Sequence, residues 1–148
     1  NYDRPDLLKE IEREIARADR YSRPFSVILL ETCLPGDTGS EIEDYETVLA
    51  TIIREIGCNL RQTDYYGRWS RNRIMVILPE TRIFSAAKTA EKIFNIIREI
   101  KFNGSLEPPI SFCAGLAQYK QSSLQEYLDL LISNVLAAKN RGKWRVIY

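Results

Sequence analysis

The sequence predicts an α+β fold: a central, mainly antiparallel sheet of about five strands flanked by helices, in the split βαβ, ferredoxin-like order. Three observations predict it. Apolar residues alternate between segments of helical period and short apolar runs of strand length. After a first helix these segments follow the order β-α-β-β-α-β and then α-β. The 148 residues, 45% of them hydrophobic, suffice to bury one core without staples.

The first helix is predicted over Asp6 to Tyr21, where Leu8, Ile11, Ile15 and Ala18 share a face and Pro24 stops the run. Phe25 to Leu30 is an apolar run of strand length, and Cys33 to Ser40, with Pro35, Gly36 and Gly39, reads as loop. Leu49, Ile52, Ile53, Ile56 and Leu60 mark a second helix. Asp64 to Trp69 and Arg73 to Leu78 read as two strands joined by a turn at Ser70-Arg71-Asn72, where Asn72 would tolerate a left-handed backbone. Ile83 through Ile100 carries a third helical stripe. A loop with Gly104, Pro108 and Pro109 leads to a strand at Ile110 to Ala117. Ser123 and Glu126 have capping-box spacing and open a last helix through Leu128, Leu131, Val135 and Ala138. Gly142 stops that helix, and Trp144 to Tyr148 is a terminal strand. No internal repeat or second domain is visible, so residues 1–148 read as one domain. The chain opens at Asn1, not Met, as an excerpt of a longer protein does.

Composition removes several classes of function. Lys plus Arg is 21 and Asp plus Glu is 20, a formal charge of +1, which speaks against a nucleic-acid binder that relies on bulk positive charge. Histidine is absent, so Ser-His, Cys-His and His-metal chemistry is excluded. Cys33, Cys58 and Cys113 are odd in number and widely spaced; they read as buried small hydrophobes in a reducing cytoplasm, without a disulfide frame or zinc site. No run approaches the ~20 apolar residues of a membrane span, and membrane contact is not expected from this segment.

Four stretches together resemble the GGDEF family, the bacterial diguanylate cyclase domain that condenses two GTP into cyclic di-GMP. They are Glu14 to Ala18 with Pro24 to Leu30; Leu60 to Asp64 with Tyr66 to Trp69; Val76 to Thr81 with Ala86-Ala87 and Ala90 to Ile93; and Ser111 to Ala117 with Ala138 to Lys143. Their order and spacing carry the resemblance, which covers nearly the whole chain and implies the nucleotide-cyclase-like form of the fold. The family signature falls on Ser70-Arg71-Asn72-Arg73-Ile74, with no signature residue present. Side chains stand where glycines let the backbone approach phosphates, and Arg73 stands where a carboxylate would face Mg²⁺. The first metal carboxylate falls on Glu31 and the second acidic position on Cys33. The guanine-reading Asn is lost in Leu34 to Gly39, and the guanine-reading Asp appears as Glu46. Lys139 and Lys143 keep positive charge at the phosphate-binding positions. Two metal ions cannot be held by one carboxylate and two lysines, so the resemblance implies an inactive cyclase needing no cofactor, with Mg²⁺ relevant only to residual GTP binding. Glu31 is the residual candidate for holding a cation; the alternative is a partly exposed residue at a strand end.

The resemblance also implies a second nucleotide site, the inhibitory R-x-x-D motif, which fits Arg61-Gln62-Thr63-Asp64. Arg61 can fork onto a phosphate or guanine edge, Asp64 can accept from guanine N–H donors, and Lys92 adds charge from the next helix. Arg61 and Asp64 can equally form a capping or surface ion pair. Arg68, Arg71 and Arg73 around Trp69 read as a solvated hairpin tip, and Tyr65, Tyr66 and Trp69 as core or cross-strand packing. The functional expectation is a cytoplasmic, inactive GGDEF-like domain that receives cyclic di-GMP through Arg61, Asp64 and Lys92. The alternative is a nucleotide-free scaffold for a homodimer or a protein partner, and after it a residual cyclase or GTP-binding domain.

Overall fold

The structure, a computed structural model, describes residues 1–33, 45–102 and 109–148. Helix α1 spans Arg4–Tyr21, strand β1 Phe25–Cys33, α2 Tyr45–Cys58, β2 Tyr65–Ser70, β3 Arg73–Pro79, α3 Ile83–Glu99, β4 Ser111–Gln118, α4 Leu124–Arg141 and β5 Val146–Ile147. The five strands form one sheet in the order β2-β3-β1-β4-β5. β1 runs antiparallel to both neighbours, β2 pairs antiparallel with β3, and β5 alone is parallel to its partner. The α+β expectation holds.

The central strand explains the layering. Phe25 to Thr32 are all buried, because helices cover both faces of β1. Ile28 and Leu30, with Ile74 and Val76 of β3, face Leu49, Ile52 and Ile56 of α2 and Ala90, Phe94 and Ile97 of α3. Their alternating neighbours Val27, Leu29, Met75 and Ile77 face Leu7 and Ile11 of α1 and Tyr127, Leu131 and Val135 of α4. The strand period of two therefore divides one apolar run between two cores.

Local chemistry sets the element ends. α1 begins two residues before Asp6, because Asp3 accepts from the Asp6 amide at 3.0 Å and Pro5 sits in the first turn, where a missing N–H costs nothing. Before α1, the Tyr2 amide donates to the Tyr66 carbonyl, and Tyr2 bridges to Gly67 of β2. The Ser123 and Glu126 capping box at α4 is present in full. Gly142 closes α4 at φ +116°, a value glycine alone adopts freely, and Trp144 also lies at positive φ. Those two residues redirect the chain, so the terminal strand shrinks from the expected Trp144 to Tyr148 to Val146–Ile147. Cys33 belongs to β1, not to a loop, and Leu60 lies beyond the end of α2. The hairpin turn is only Arg71-Asn72, relieved by a register shift between Arg68 and Ser70; Asn72 does not take positive φ. The expected loop features from Leu34 to Ser40 and at Gly104 and Pro108 lie outside the described residues.

The cysteine expectation is corrected in its pairing, while Cys113 is buried as expected. Cys33 and Cys113 are joined by a disulfide, and Cys58 is exposed and free. Glu31 pairs with Cys113 and Cys33 with Ser111, so the two cysteines sit diagonally on one face of adjacent antiparallel strands, with Cα atoms 6.6 Å apart. Among the described residues, no helix is long and apolar enough to cross a membrane.

Candidate functional site

Two places collect the residues singled out from sequence. The first lies where β1 ends beside the β2–β3 hairpin. Antiparallel register sets Glu31 directly opposite Arg73, and the end of α4 brings Lys139 over the same carboxylate. Arg73 Nε donates to Glu31 Oε1 at 2.7 Å, and Lys139 Nζ lies 3.1 Å from Oε2. Glu31 is 2% exposed, which corrects the partly exposed strand-end reading. A buried carboxylate requires such partners, and here both are protein cations. A divalent cation needs several oxygen ligands, and this carboxylate is already neutralised on both oxygens. Among the described residues, no group of three or more acidic, Cys or His side chains could hold a metal. The described residues at this spot therefore do not fit a divalent ion.

The hairpin arginines are also engaged. Arg68 forks onto Glu46 through both terminal nitrogens and donates to the Arg71 carbonyl. The bond to Arg68 holds the Glu46 carboxyl below its ordinary value. Trp69 is buried in the core under the guanidinium of Arg4. The expected solvated tip thus narrows to Arg71, since Arg68 and Arg73 are paired, while the packing reading of Trp69 holds. Tyr45 donates to the Arg71 carbonyl and the Thr32 amide to the Asn72 carbonyl, so both α2 and β1 hold the turn in place. Lys143 is exposed.

The second place is a concavity of about 240 Å³ between the end of α2, the end of β3 and the outer face of α3. Arg61, Asp64 and Lys92 all line it, so the structure brings together the three residues expected to bind a ligand. Leu60, Leu78 and Ile93 supply apolar wall, and Ser85 and Thr89 supply hydroxyls. Arg61 and Asp64 are also ion-paired: Nη2 donates to Oδ1 at 2.8 Å, and the Arg61 backbone amide donates to Oδ2 at 2.8 Å. This pairing raises the guanidinium pKa further. Arg61 Nη2 also reaches the Pro79 carbonyl at 3.0 Å and Thr81 Oγ1 at 2.9 Å. Lys92 Nζ donates to the Asn59 carbonyl at 3.4 Å, a long bond from an exposed ammonium. Sequence reasoning missed Pro79 and Thr81 as partners of Arg61; they lie 18 and 20 residues away, and no spacing rule links them.

The family description "Diguanylate cyclase, GGDEF domain" matches residues 42–145. Diguanylate cyclase DosC of Escherichia coli K12 is 28% identical over 145 residues, covering 91% of this chain; the chain spans 30% of the length of DosC. Among solved structures, the diguanylate cyclase SiaD of Pseudomonas aeruginosa, in complex with its activator SiaC, superimposes with a TM-score of 0.86 at 21% identity, over 98% of this chain and 57% of that one. The GGDEF domain of DgcB from Caulobacter crescentus, in complex with c-di-GMP, gives 0.75 at 18% identity, over 98% and 86%. At those identities the two structures speak to fold alone. The family match covers more than two-thirds of the sequence, and the chain belongs to the GGDEF family of diguanylate cyclase domains.

Proposed function

We propose that this domain does not synthesise cyclic di-GMP and instead binds it, as a cytoplasmic regulatory module, in the concavity that holds Arg61, Asp64 and Lys92. The observation that carries this reading is the convergence of those three side chains on one concavity with an apolar wall. An arginine fork and an ammonium suit phosphates, and apolar surface suits a base. The binding of c-di-GMP by the domain of DgcB supports the ligand class. The lack of synthesis rests on Glu31, which Arg73 and Lys139 neutralise where the chemistry calls for metal-bound phosphates. No cofactor is required for binding, and Mg²⁺ enters only with residual GTP binding.

Calorimetric titration with cyclic di-GMP, with GTP and Mg²⁺ as the comparison, tests the proposal. Arg61→Ala should weaken cyclic di-GMP about 10- to 100-fold, the range for a lost charge-assisted fork. Lys92→Ala should cost less and depend more on salt, and Arg73→Ala should leave binding nearly unchanged. Absence of binding near 100 μM ligand, about −5.5 kcal/mol, removes the receptor reading. Robust turnover of GTP to cyclic di-GMP removes the inactive one.

A second reading, a nucleotide-free scaffold for a homodimer or protein partner, is favoured by one feature. Phe84 of α3 and Tyr148 are 73% and 58% exposed and touch edge to face, with ring centroids 6.5 Å apart. Solvent-facing aromatic pairs of this kind suit contact surfaces.

A further inference from the structure

The two sulfurs of the Cys33–Cys113 bridge differ in access. Cys113 lies inside β4 and is fully buried, whereas Cys33 is the last residue of β1 and is half-buried. Thiol–disulfide exchange needs an attacking thiolate to reach one sulfur, and here Cys33 Sγ is the reachable one.

The surroundings are also prepared for an open bridge. Cys113 Sγ lies 3.2 Å from the Gly142 carbonyl oxygen. Inside the bridge that sulfur carries no hydrogen, but as a thiol it donates to this carbonyl. Ser111 Oγ donates to the Cys33 carbonyl at 2.8 Å, and β1 pairs with β4 from Ser26 to Cys33 through backbone groups that do not involve the sulfurs. Opening the bridge therefore removes no strand pairing and leaves the buried Cys113 thiol with an acceptor. The third cysteine stands apart. Cys58 ends α2, while Tyr45 at the start of that helix donates to the Arg71 carbonyl in the turn that also bonds β1 at Thr32. About 20 Å of helix separates Cys58 from that corner, too far for it to attack the bridge within one chain.

We infer that Cys33–Cys113 is a thiol-exchange site, which a dithiol opens through Cys33 and a disulfide of the same class recloses, with the fold kept in both states. A thiolate of the dithiol attacks Cys33 Sγ, and the Cys33–Cys113 bond breaks with its electron pair on Cys113. Cys113 takes a proton and hydrogen-bonds to the Gly142 carbonyl. The second thiol of the reductant, as a thiolate, then attacks its own sulfur bound to Cys33, and Cys33 leaves and is protonated. Two electrons and two protons have passed to the protein, and the dithiol departs as a disulfide. The inference takes only the cytoplasmic setting from the proposed function; bridges formed there are exchanged rather than permanent. Cyclic di-GMP has no part in it.

Thiol counting on the full chain tests it. Without denaturant, dithiothreitol should raise the count from one to three, and oxidised dithiothreitol should return it to one. The far-UV circular dichroism should stay the same throughout, and the reduced form should unfold at lower urea because a long loop is no longer closed. In Cys58→Ser, limiting glutathione quenched with acid should leave its adduct on the peptide that contains Cys33. On that background, Cys33 in Cys113→Ser should react with oxidised glutathione at least about 10-fold faster than Cys113 in Cys33→Ser, as access dictates. The adduct mapping needs neither bridge variant, so it decides the matter even where one of them fails to fold. An adduct on Cys113, opening only as urea unfolds the chain, or loss of the circular dichroism signal on reduction overturns the inference. Three thiols in the air-oxidised protein overturn it as well. Each of these outcomes leaves the receptor reading untouched, since no nucleotide enters the experiment.

Discussion

Glu31 is held by one cation from a hairpin and one from a helix end, and its two oxygens are divided between them. Replacing the carboxylate with a neutral amide leaves Arg73 and Lys139 facing each other with no anion between them. Glu31→Gln should destabilise the fold by about 1–3 kcal/mol in urea unfolding. The larger cost of breaking a fully buried pair is not expected, since Arg73 and Lys139 are partly exposed. A second carboxylate behaves in the opposite sense. Burial raises the Glu14 carboxyl above its ordinary 4.5, against the pull of Arg17 and with help from Glu10 and Glu80. The folded state therefore holds that proton more tightly than the unfolded one, and stability falls as pH rises from 4.5 through the raised value. Glu14→Gln should accordingly raise Tm relative to wild type at pH 7, and the gain should disappear near pH 3.5. Equal gains at both pH values would refute the assignment.

At the scale of elements, helix α4 lies unusually close to β4 at one point. A Cβ added to Gly115 would collide with the backbone of Val135 and Asn134 and stand 2.8 Å from the Leu131 carbonyl oxygen. Helix backbone cannot yield as a flexible side chain does, so Gly115→Ala should lift α4 from the sheet. The expected cost is about 1–3 kcal/mol, read by thermal or urea unfolding. Because α4 carries Lys139, the same change should draw that lysine away from Glu31. The order of elements was legible because apolar period switches cleanly along the chain, as in the 3.6-residue stripe of Ile93 and Ile97 beside the unbroken run of β1. Their ends were less so. β5 is short because Gly142 and Trp144 spend positive-φ residues on a change of direction, which the apolar pattern of Trp144 to Tyr148 does not reveal. Arg61, Asp64 and Lys92, which line one concavity, were singled out through motif resemblance. The partners that decide their chemistry, Pro79 and Thr81, were not, because only the folded chain brings them to Arg61.

At the scale of the whole molecule, the bridge from Cys33 to Cys113 closes a sequence separation of 80 residues. It escaped sequence reading because pairing depends on strand register, and an odd cysteine count offers no parity argument. Protein unfolded without reductant should expose one titratable thiol, that of Cys58, and three after reduction. Three thiols before reduction would refute the bridge. Where the bridge is closed, Cys113→Ser should lower stability by on the order of 4 kcal/mol, the chain entropy of so long a loop.

The contact of Tyr2 with β2 bears on solubility. β2 ends the sheet on one side, and its outer N–H and C=O groups would otherwise be open to a strand from another copy. Tyr2 covers part of that row, donating its amide hydrogen to the Tyr66 carbonyl and bridging to Gly67, and an added Cβ at Gly67 would strike the Tyr2 backbone. Three residues ahead of the first helix thus act as a guard against intermolecular strand addition. A chain begun at Arg4 should self-associate through β2, seen as a mass that climbs with concentration in light scattering, while the full chain at the same concentrations should show no such climb.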